Sequence, residues 1–488
     1  MVLNYRLIAK IMSAILVLIG ASMIPSMAVS LLYGDTVSAA AFLKCMVPMI
    51  LVGAVLMKKI RPWSRTLRMR DGFLTVALCW LLASLLGGLP FVLSGAIPSF
   101  VDAFFETASG FTTTGSSILT DIEVLPRGIL FWRSFTHWLG GMGILVFFIA
   151  LLPSLGIGGQ NIVNAETTGP IKDKLTAKIS DSAKLLYTIY IGMTVIEVVL
   201  LCLGGMSLYD SLVHTFGTVG TGGLSVYNSS IGHYGSAYIH VVIAVFMMLA
   251  GINFNLYYHL ISGNPREFFS DYELRGYIAI LGIATGLIAI DLVRSGIYDG
   301  AGEALRYSFF QSSSIITTTG YSTTNFDLWP TFSKMVLFIL MFVGGCSSST
   351  GGGVKVIRVL LLFKLVRRGL YRRLHPRAVV PLKLGGRALP SEVMSGVSSF
   401  IFLYIGLLFA GTLLLSFEGF DLVSTFTAVL ASIGNIGPGF ELVGPSMNYS
   451  IFSAPAKILL SIYMIIGRLE LFTIILLATP TFWNPDRR

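Results

Sequence analysis

Apolar runs of 18 or more residues recur along the whole length of this 488-residue chain. A helix needs about 20 apolar residues to cross the hydrocarbon core of a membrane. Charged residues make up 12% of the chain, about half the share that is usual in soluble domains. The longest polar stretches are only about 20 to 30 residues, too short for a soluble domain of ordinary size. We therefore expect an all-α polytopic membrane protein.

The net charge of +10 comes largely from short loops between the apolar runs. Such loops are typical of the cytoplasmic side of a membrane protein, and this pattern does not indicate a nucleic-acid partner. The sequence therefore predicts a multi-pass protein of the cytoplasmic membrane with both termini in the cytoplasm. The basic stretches are "KKIRPWSRTLRMR" from Lys58, "KDKLTAK" from Lys172, "RRGLYRRLHPR" from Arg367 and the C-terminal "PDRR".

Four short stretches rich in Gly and Thr interrupt the apolar pattern at intervals of roughly 100 residues. Each follows a segment too short to cross a membrane, and longer apolar helices flank it. Such a segment can enter the membrane and return only where protein or water surrounds its backbone. The stretches are "GFTTTGSS" from Gly110, "GTVGTGGLS" from Gly217, "IITTTGYSTT" from Ile315 and "SIGNIGPGF" from Ser432.

These stretches predict four tandem helix–pore-loop–helix units around a central pore, preceded by two N-terminal transmembrane helices. The alignment takes Gly115, Gly222, Gly320 and Gly437 as equivalent. The second helix of the third unit is expected to be broken. The predicted bounds are 1–60 for the N-terminal two-helix unit, and 70–155, 180–263, 272–370 and 388–480 for pore units 1 to 4.

Four such loops around one axis can present backbone carbonyls to a central path. A ring of carbonyls can replace the hydration shell of an alkali cation. Glycine adopts positive φ without steric cost, which lets successive carbonyls turn inward, and a Thr hydroxyl can coordinate an ion or hydrogen-bond behind the loop. The alternative is that Thr and Gly only allow close helix packing. Four equivalent copies favour an ion path.

The loops "TTTG", "GTGG", "TTTG" and "NIGPG" resemble those of the Trk/Ktr/HKT superfamily of potassium transporters. The stretches "AETTGPIKDKLT" from Ala165 and "GGCSSSTGGGVKVIR" from Gly344 resemble the Trk membrane subunits of that superfamily. The resemblance covers essentially the whole chain. It implies potassium uptake through a channel-like pore, with K⁺ as the transported ion and no organic cofactor.

The resemblance also implies which residues form the K⁺ selectivity filter. A glycine at position 115 favours potassium, because a serine can replace it in relatives that conduct sodium. A sodium transporter or a weakly selective Na⁺/K⁺ transporter of the same fold is the alternative. The fourth loop departs most, since it lacks Thr and has Pro438 after its glycine. The implied filter residues are Thr112, Thr113, Thr114, Gly115, Val219, Gly220, Thr221, Gly222, Thr317, Thr318, Thr319, Gly320, Gly434, Asn435, Ile436 and Gly437.

A polar stretch, "GGCSSSTGGG", interrupts the second helix of the third unit. Its four Ser/Thr and five Gly residues cannot face lipid. A glycine-kinked helix is one interpretation. The family resemblance instead implies an intramembrane loop that lies under the filter and acts as a gate. The implied gate residues are Gly344, Gly345, Cys346, Ser347, Ser348, Ser349, Thr350, Gly351, Gly352, Gly353 and Lys355.

Arg468 lies near the middle of the last apolar run. A charge at that depth is costly and usually functional. The resemblance places this cation at the pore just below the filter, where it would lower cation occupancy. The alternative is an ion pair with a carboxylate on another helix, such as the mid-span Glu197, and both can be partly true.

Other function classes find little support in the sequence. An intramembrane enzyme would need a nucleophile or metal motif, and neither Gly-x-Ser-x-Gly nor His-Glu-x-x-His occurs. A coupled transporter with inverted repeats is disfavoured, because all four units open and return in the same sense. The resemblance implies a homodimer in membrane lipid and a cytosolic nucleotide-binding regulatory subunit. The docking surfaces it suggests are loops 153–181 and 364–389 and the C-terminus.

Overall fold

The computed structural model describes residues 3–62, 64, 67–143, 179–378, 380–384 and 387–484. The predicted all-α fold is confirmed within these residues, with one small addition. Lys383–Leu384 (β1) and Arg387–Ala388 (β2) pair as a two-stranded antiparallel ribbon. This ribbon lies in the basic stretch before the last pore unit.

Seven helices make up the N-terminal pair and the described part of pore unit 1. They are α1 (Tyr5–Ser22), α2 (Ile24–Leu32), α3 (Thr36–Lys59), α4 (Met69–Gly87), α5 (Leu89–Leu93), α6 (Phe100–Phe111) and α7 (Arg127–Gly141). The rest of this unit as predicted, 144–155, lies outside the described residues.

The remaining units follow in the same order. In and next to the predicted pore unit 2 lie α8 (Ile179–Leu203), α9 (Leu208–Val219), α10 (Ala237–Ala250), α11 (Phe254–Ile261) and α12 (Pro265–Ser270). In and next to the predicted pore unit 3 lie α13 (Tyr272–Arg294), α14 (Ala301–Ile316), α15 (Thr331–Met341) and α16 (Val356–Leu374). In and next to the predicted pore unit 4 lie α17 (Ser391–Leu415), α18 (Leu422–Gly434), α19 (Ala454–Arg468), α20 (Phe472–Ala478) and α21 (Pro480–Trp483).

Six helices in the described part of the chain are long and apolar enough to cross a membrane, or eight if each of two bent pairs counts as one span. The two bent pairs are α10 with α11, at 96°, and α19 with α20, at 118°. In unit 3 the second helix stops at Met341 and resumes at Val356. The second helices of units 2 to 4 are therefore interrupted along their length, and none of these three is a continuous span.

Four shorter helices precede the Gly/Thr stretches, and we call α6, α9, α14 and α18 the pore helices. They contain 12, 12, 16 and 13 residues, so the longest is only about 24 Å, less than the roughly 30 Å of a hydrocarbon core. Ser99, Ser207 and Asp421 cap three of them, each accepting a hydrogen bond from a first-turn backbone N–H. The caps fix where these helices begin.

The N-terminus, the first basic stretch and the C-terminal helices meet on one side of the molecule. The Asn4 side chain donates to the Ser64 carbonyl at 3.1 Å, and the Arg70 guanidinium donates to the Thr481 carbonyl at 3.2 Å. We call this side, which carries the first basic stretch, the lower side. The second helices run toward it from the Gly/Thr stretches, so their interruptions lie below those stretches.

Candidate functional site

The four Gly/Thr stretches adopt one backbone conformation, although their sequences differ. In each stretch, one non-glycine residue has a left-handed φ between 53° and 59°. A glycine two positions later has a φ between 73° and 97°. Asn435 takes the left-handed position in the fourth stretch, and Asn tolerates that region better than most residues. The equivalent pairs are Thr113 with Gly115, Thr221 with Gly223, Thr318 with Gly320 and Asn435 with Gly437.

This backbone corrects the alignment of the second stretch. Gly223, and not Gly222, matches Gly115, Gly320 and Gly437. Two adjacent glycines in "GTGG" made both alignments possible in sequence. Val219 is then the last residue of pore helix α9. We define loop 1 as 112–115, loop 2 as 220–223, loop 3 as 317–320 and loop 4 as 434–437.

The hydrogen bonds of the loops repeat as well. In each loop the third residue donates its backbone N–H to a carbonyl five residues earlier in the pore helix. The four distances run from 2.7 to 2.9 Å. The donors are Thr114, Gly222, Thr319 and Ile436, and the acceptors are the carbonyls of Ser109, Gly217, Ser314 and Ala431. Each loop is thus tied to the C-terminal end of its own pore helix in the same way.

The four loops close into a ring. A side chain on the last glycine of each loop would collide with the carbonyl that precedes the last glycine of the next loop. The sequence of contacts runs from loop 1 to loop 2, to loop 3, to loop 4 and back to loop 1. The contacts are Gly115 with the Gly222 carbonyl, Gly223 with Thr319, Gly320 with Ile436, and Gly437 with Thr114. The same four glycines line a cavity of about 130 Å³ above the ring.

Side chains support the ring from behind. The hydroxyls of Thr112 and Thr114 are 2.8 Å apart in loop 1, and those of Thr317 and Thr319 are 2.8 Å apart in loop 3. The Asn435 amide of loop 4 donates to the Thr114 hydroxyl at 2.9 Å, joining two loops. The Thr112 and Thr317 hydroxyls also donate to the carbonyls of Ala108 and Ser313 at 2.6 Å, so these side chains brace the loops against their pore helices.

A buried ion pair, which the sequence analysis did not identify, joins the residues that follow loops 1 and 2. Arg133 Nε lies 2.5 Å from Glu106 Oε1, and both side chains are at most 2% exposed. Glu106 also accepts from the Ile118 N–H at 3.0 Å, and Arg133 donates to the Ser225 carbonyl at 2.8 Å. The available signal was a charged residue in the middle of each of two largely apolar helices, α6 and α7.

His137 lies directly behind loop 2. Its imidazole is fully buried, and a side chain on Gly222 would collide with Nδ1 of the ring. Neither ring nitrogen has a hydrogen-bond partner among the described residues. The imidazole therefore fills the space behind Gly222.

The 344–355 segment, which holds the predicted gate residues, lies below loops 3 and 4 and contacts both. The Gly352 N–H donates to the Thr318 hydroxyl of loop 3 at 2.6 Å. A side chain on Gly352 would lie 2.6 Å from the Gly434 carbonyl of loop 4, and one on Gly351 would lie 2.8 Å from the Thr317 carbonyl. Glycines thus allow the segment to approach the ring backbone to backbone.

The same segment is held by the interruption between α10 and α11. The Cys346 N–H donates to the Gly251 carbonyl at 2.9 Å, and the Thr350 hydroxyl donates to the Ala250 carbonyl at 3.1 Å. In return the Phe254 N–H donates to the Ser348 carbonyl at 3.1 Å. The backbone groups freed by the bend in unit 2 are satisfied by unit 3.

Lys355 forms a hydrogen bond within the 344–355 segment. The residue is 2% exposed and has a left-handed φ of 80°. Its ammonium group donates to the Gly351 carbonyl. The role of Lys355 as one of the implied gate residues remains a proposal.

Arg468 joins the 344–355 segment to pore unit 1. Its guanidinium donates to the Thr350 carbonyl at 2.7 Å and to the carbonyls of Gly140 and Gly141 at 2.5 and 2.7 Å. The alternative pairing with Glu197 is wrong, because neither Glu197 oxygen has a hydrogen-bond partner among the described residues. Glu197 is fully buried. The carbonyls of Thr350, Gly140 and Gly141 therefore hold this guanidinium.

A second cation lies just below Arg468. The Arg358 guanidinium forms an ion pair with Glu470 at 2.6 Å and lies 3.8 Å from the centre of the Phe400 ring. The described residues contain no group of three or more His, Cys, Asp or Glu that could hold a metal ion. The groups that the structure brings together are thus backbone carbonyls, hydroxyls and a few buried charges.

The comparisons with known proteins agree with this architecture. A family model described as cation transport protein, TrkH, matches residues 38–484. The chain is 38% identical to the Trk system potassium uptake protein TrkH of Salmonella typhimurium, over 99% of this chain and 100% of the relative. It is 34% identical to the Trk system potassium uptake protein TrkG of Escherichia coli K12, over 99% of both chains.

A solved structure shows the same fold. The crystal structure of the potassium transporter TrkH from Vibrio parahaemolyticus matches with a TM-score of 0.89 at 37% identity, covering 99% of this chain and 100% of that one. The resemblance found in the sequence is confirmed, and the chain belongs to the TrkH family of cation transport proteins.

Proposed function

We propose that this chain takes up potassium across the cytoplasmic membrane through the ring of four loops, as a transporter and not as an enzyme. The closed ring of glycines and carbonyls carries the proposal. The relatives at 38% and 34% identity are potassium uptake proteins by name. The apolar helices support a multi-pass membrane protein, and the basic stretches favour cytoplasmic termini.

The ring suits an alkali cation for a physical reason. Carbonyl oxygens can replace the water shell of K⁺, and four equivalent loops supply them symmetrically. The pore helices end at the loops, so their partly negative C-terminal ends point toward the ion. No step needs an organic cofactor, since K⁺ is the cargo. The glycine at all four ring positions favours K⁺, and a weakly selective Na⁺/K⁺ pore is the alternative.

The 344–355 segment is proposed to gate the pore. It contacts loops 3 and 4 from below, on the side to which an ion leaving the ring must pass. Arg468 links it to pore unit 1 and places a positive charge under the ring. A cation that leaves the ring therefore meets a backbone segment and a positive charge, and both oppose its exit.

The assembly is also a proposal. A second copy of the chain and a cytosolic nucleotide-binding regulatory subunit are the partners that the family resemblance implies, with lipid around them. Exposed arginines at the end of α16, among them Arg367, Arg372 and Arg373, form a basic surface on the lower side. The first suggested docking loop, 153–181, lies almost entirely outside the described residues.

The selectivity test uses the purified full chain in liposomes and compares Rb⁺ uptake with Na⁺ uptake. The variant is Gly115→Ser, because a side chain there would collide with the Gly222 carbonyl at a φ of 83°. The control is Gly286→Ser in α13, where nothing lies within 4 Å of an added side chain. We expect wild type and the control to prefer Rb⁺, and Gly115→Ser to lose that preference.

Equal Rb⁺ and Na⁺ uptake in the wild type, unchanged by Gly115→Ser, would overturn the proposed filter. A wild type that takes up Na⁺ as well as Rb⁺ but loses both in the variant would favour the weakly selective pore. In that case the ring would still be the path, without selecting potassium.

A further inference from the structure

Both ends of the 344–355 segment meet at one carboxylate. Glu273 lies in the first turn of α13. Its Oε1 accepts from the Ser347 N–H at 2.7 Å and from the Ile357 N–H at 3.1 Å. The Ser347 hydroxyl adds contacts of 3.0 Å to both carboxylate oxygens. Ser347 is near the start of the segment, and Ile357 lies just beyond its end.

The upper end of α16 depends on this carboxylate. Lys355 occupies the N-cap position of α16 but gives it no side-chain cap, so the first-turn N–H groups need acceptors from elsewhere. Glu273 supplies one to Ile357 from a different helix. A carboxylate at a helix N-terminus is favoured by the helix dipole, and Glu273 therefore acts as a distant cap.

Glu273 is shielded from water and lies outside the ion pairs of the described residues. The residue is 6% exposed, and it forms no ion pair with any residue in the described ranges. Two backbone N–H groups and one hydroxyl surround its charge instead. Hydrogen bonds to a buried charge are stronger than neutral ones, so the contact fixes the two chain ends firmly.

The contact between the segment and loop 3 falls between these two fixed ends. The Gly352 N–H reaches the Thr318 hydroxyl only while the chain from Ser347 to Ile357 keeps its present path. Other bonds hold the middle of the segment to α10 and to Arg468. Glu273 is the residue that holds both ends at once.

We propose that Glu273 is a positioning residue of the gate, which clamps both ends of the 344–355 segment and so holds it against the ring. The inference rests on the proposed function of that segment. Loss of the clamp lets the segment leave loops 3 and 4. Ion flux then rises, while ion selectivity stays the same because Glu273 does not touch the ring.

The test compares Glu273→Ala and Glu273→Gln with wild type in proteoliposomes of the full chain. The matched control is Glu392→Ala, which removes an exposed glutamate from the first turn of α17. We expect Rb⁺ uptake to rise at least about tenfold in Glu273→Ala, because three donors lose their bonds to a charged acceptor. Glu273→Gln keeps one acceptor oxygen and is expected to give a smaller rise. The Rb⁺/Na⁺ ratio should not change.

A second measurement reports on the segment without using flux. Cys346 precedes Ser347 and is fully buried, as is Cys79 in α4. A charged methanethiosulfonate reagent should modify Cys346 faster in Glu273→Ala than in wild type, with Cys79 unchanged as the internal reference. Faster modification of both thiols would mean general unfolding, and Glu273→Gln then replaces Glu273→Ala as the test variant.

The outcomes separate the inference from the function on which it rests. Faster Cys346 modification with higher uptake and an unchanged ion ratio supports the clamp and the gate. Unchanged Cys346 modification overturns the clamp, whatever happens to uptake. Faster modification with unchanged uptake overturns the gate, and with it the effect of Glu273 on flux.

Discussion

The ring of loops and the layer of helix interruptions beneath it differ in symmetry. The four loops share φ values, hydrogen bonds and glycine contacts. Below them, the second helices of units 2 and 4 bend sharply at short breaks. The second helix of unit 3 is interrupted by the long 344–355 segment. The ring thus repeats one structure four times, whereas the layer of helix interruptions contains different structures.

The difference separates two requirements. A ring around a cation needs equivalent carbonyls, so the backbone is preserved even where Asn435 and Ile436 replace Thr in loop 4. Under the proposed function the layer below needs one element that can move, and among the described residues the 344–355 segment is a long glycine-rich segment of this kind. Predictions that disturb the symmetric layer should thus have large effects, and those aimed at the lower layer smaller ones of opposite sign.

Gly223→Ala should have the largest effect. An added side chain would collide with the Thr319 carbonyl at a φ of 73°, and a backbone group cannot move aside. Strain and collision together cost at least about 3 kcal/mol, so we expect Rb⁺ uptake to fall about 100-fold. Uptake near the wild-type level in proteoliposomes would mean that loop 2 does not belong to the ring.

Gly222→Ala should lower Rb⁺ uptake for a different reason, and a second substitution should restore that uptake. Its side chain would collide with the His137 imidazole and not with backbone. We expect about a tenfold loss of uptake, and recovery in the double variant Gly222→Ala/His137→Ala, which vacates the space behind the loop. The matched comparison is Gly223→Ala/His137→Ala, which should stay inactive. Equal rescue of both would contradict the alignment of loop 2.

The sequence predicted the symmetric layer better than the asymmetric one. Repetition exposed the four loops, and composition exposed the polar interruption that begins at Gly344, because clusters of Gly, Ser and Thr stand out in apolar sequence. The register of loop 2 could not be predicted, since adjacent glycines fit either way. The Glu106–Arg133 pair and the Glu273 contacts join residues far apart along the chain, and no local pattern signals such pairs.

Arg468→Ala should raise uptake. Its guanidinium ties Thr350 to Gly140 and Gly141 and places a charge below the ring. Losing these charge-assisted bonds frees the segment and removes repulsion, and we expect up to about a tenfold rise in Rb⁺ uptake. The control is Arg294→Ala at the exposed end of α13. Unchanged or lower uptake in a well-folded Arg468→Ala protein would contradict the proposal that Arg468 opposes the exit of cations from the ring.

Asp327→Asn tests the outer rim, by which we mean the surface above the ring of loops that includes Asp327. We expect this substitution to have the smallest effect, and the effect to be on stability. Burial raises the pKa of Asp327 to about 6, with nearby Glu441 adding to the rise. Because this pKa is higher in the folded chain than in the unfolded one, folding is most favoured below about pH 4, and that stability is lost as pH rises through about 6. Asp327→Asn should thus gain stability over wild type across this window.

Partial exposure of Asp327 screens the effect, so the gain above about pH 6 should be only about 1 kcal/mol, with almost none at pH 4. The measurement is thermal unfolding of both proteins between those pH values. Asp421→Asn is the matched control of opposite sign, because hydrogen bonds from Ser424 lower the pKa of Asp421 at the start of pore helix α18. It should lose stability at neutral pH. A gain for both variants would mean that reduced rim charge, and not the burial of Asp327, sets the stability of the rim.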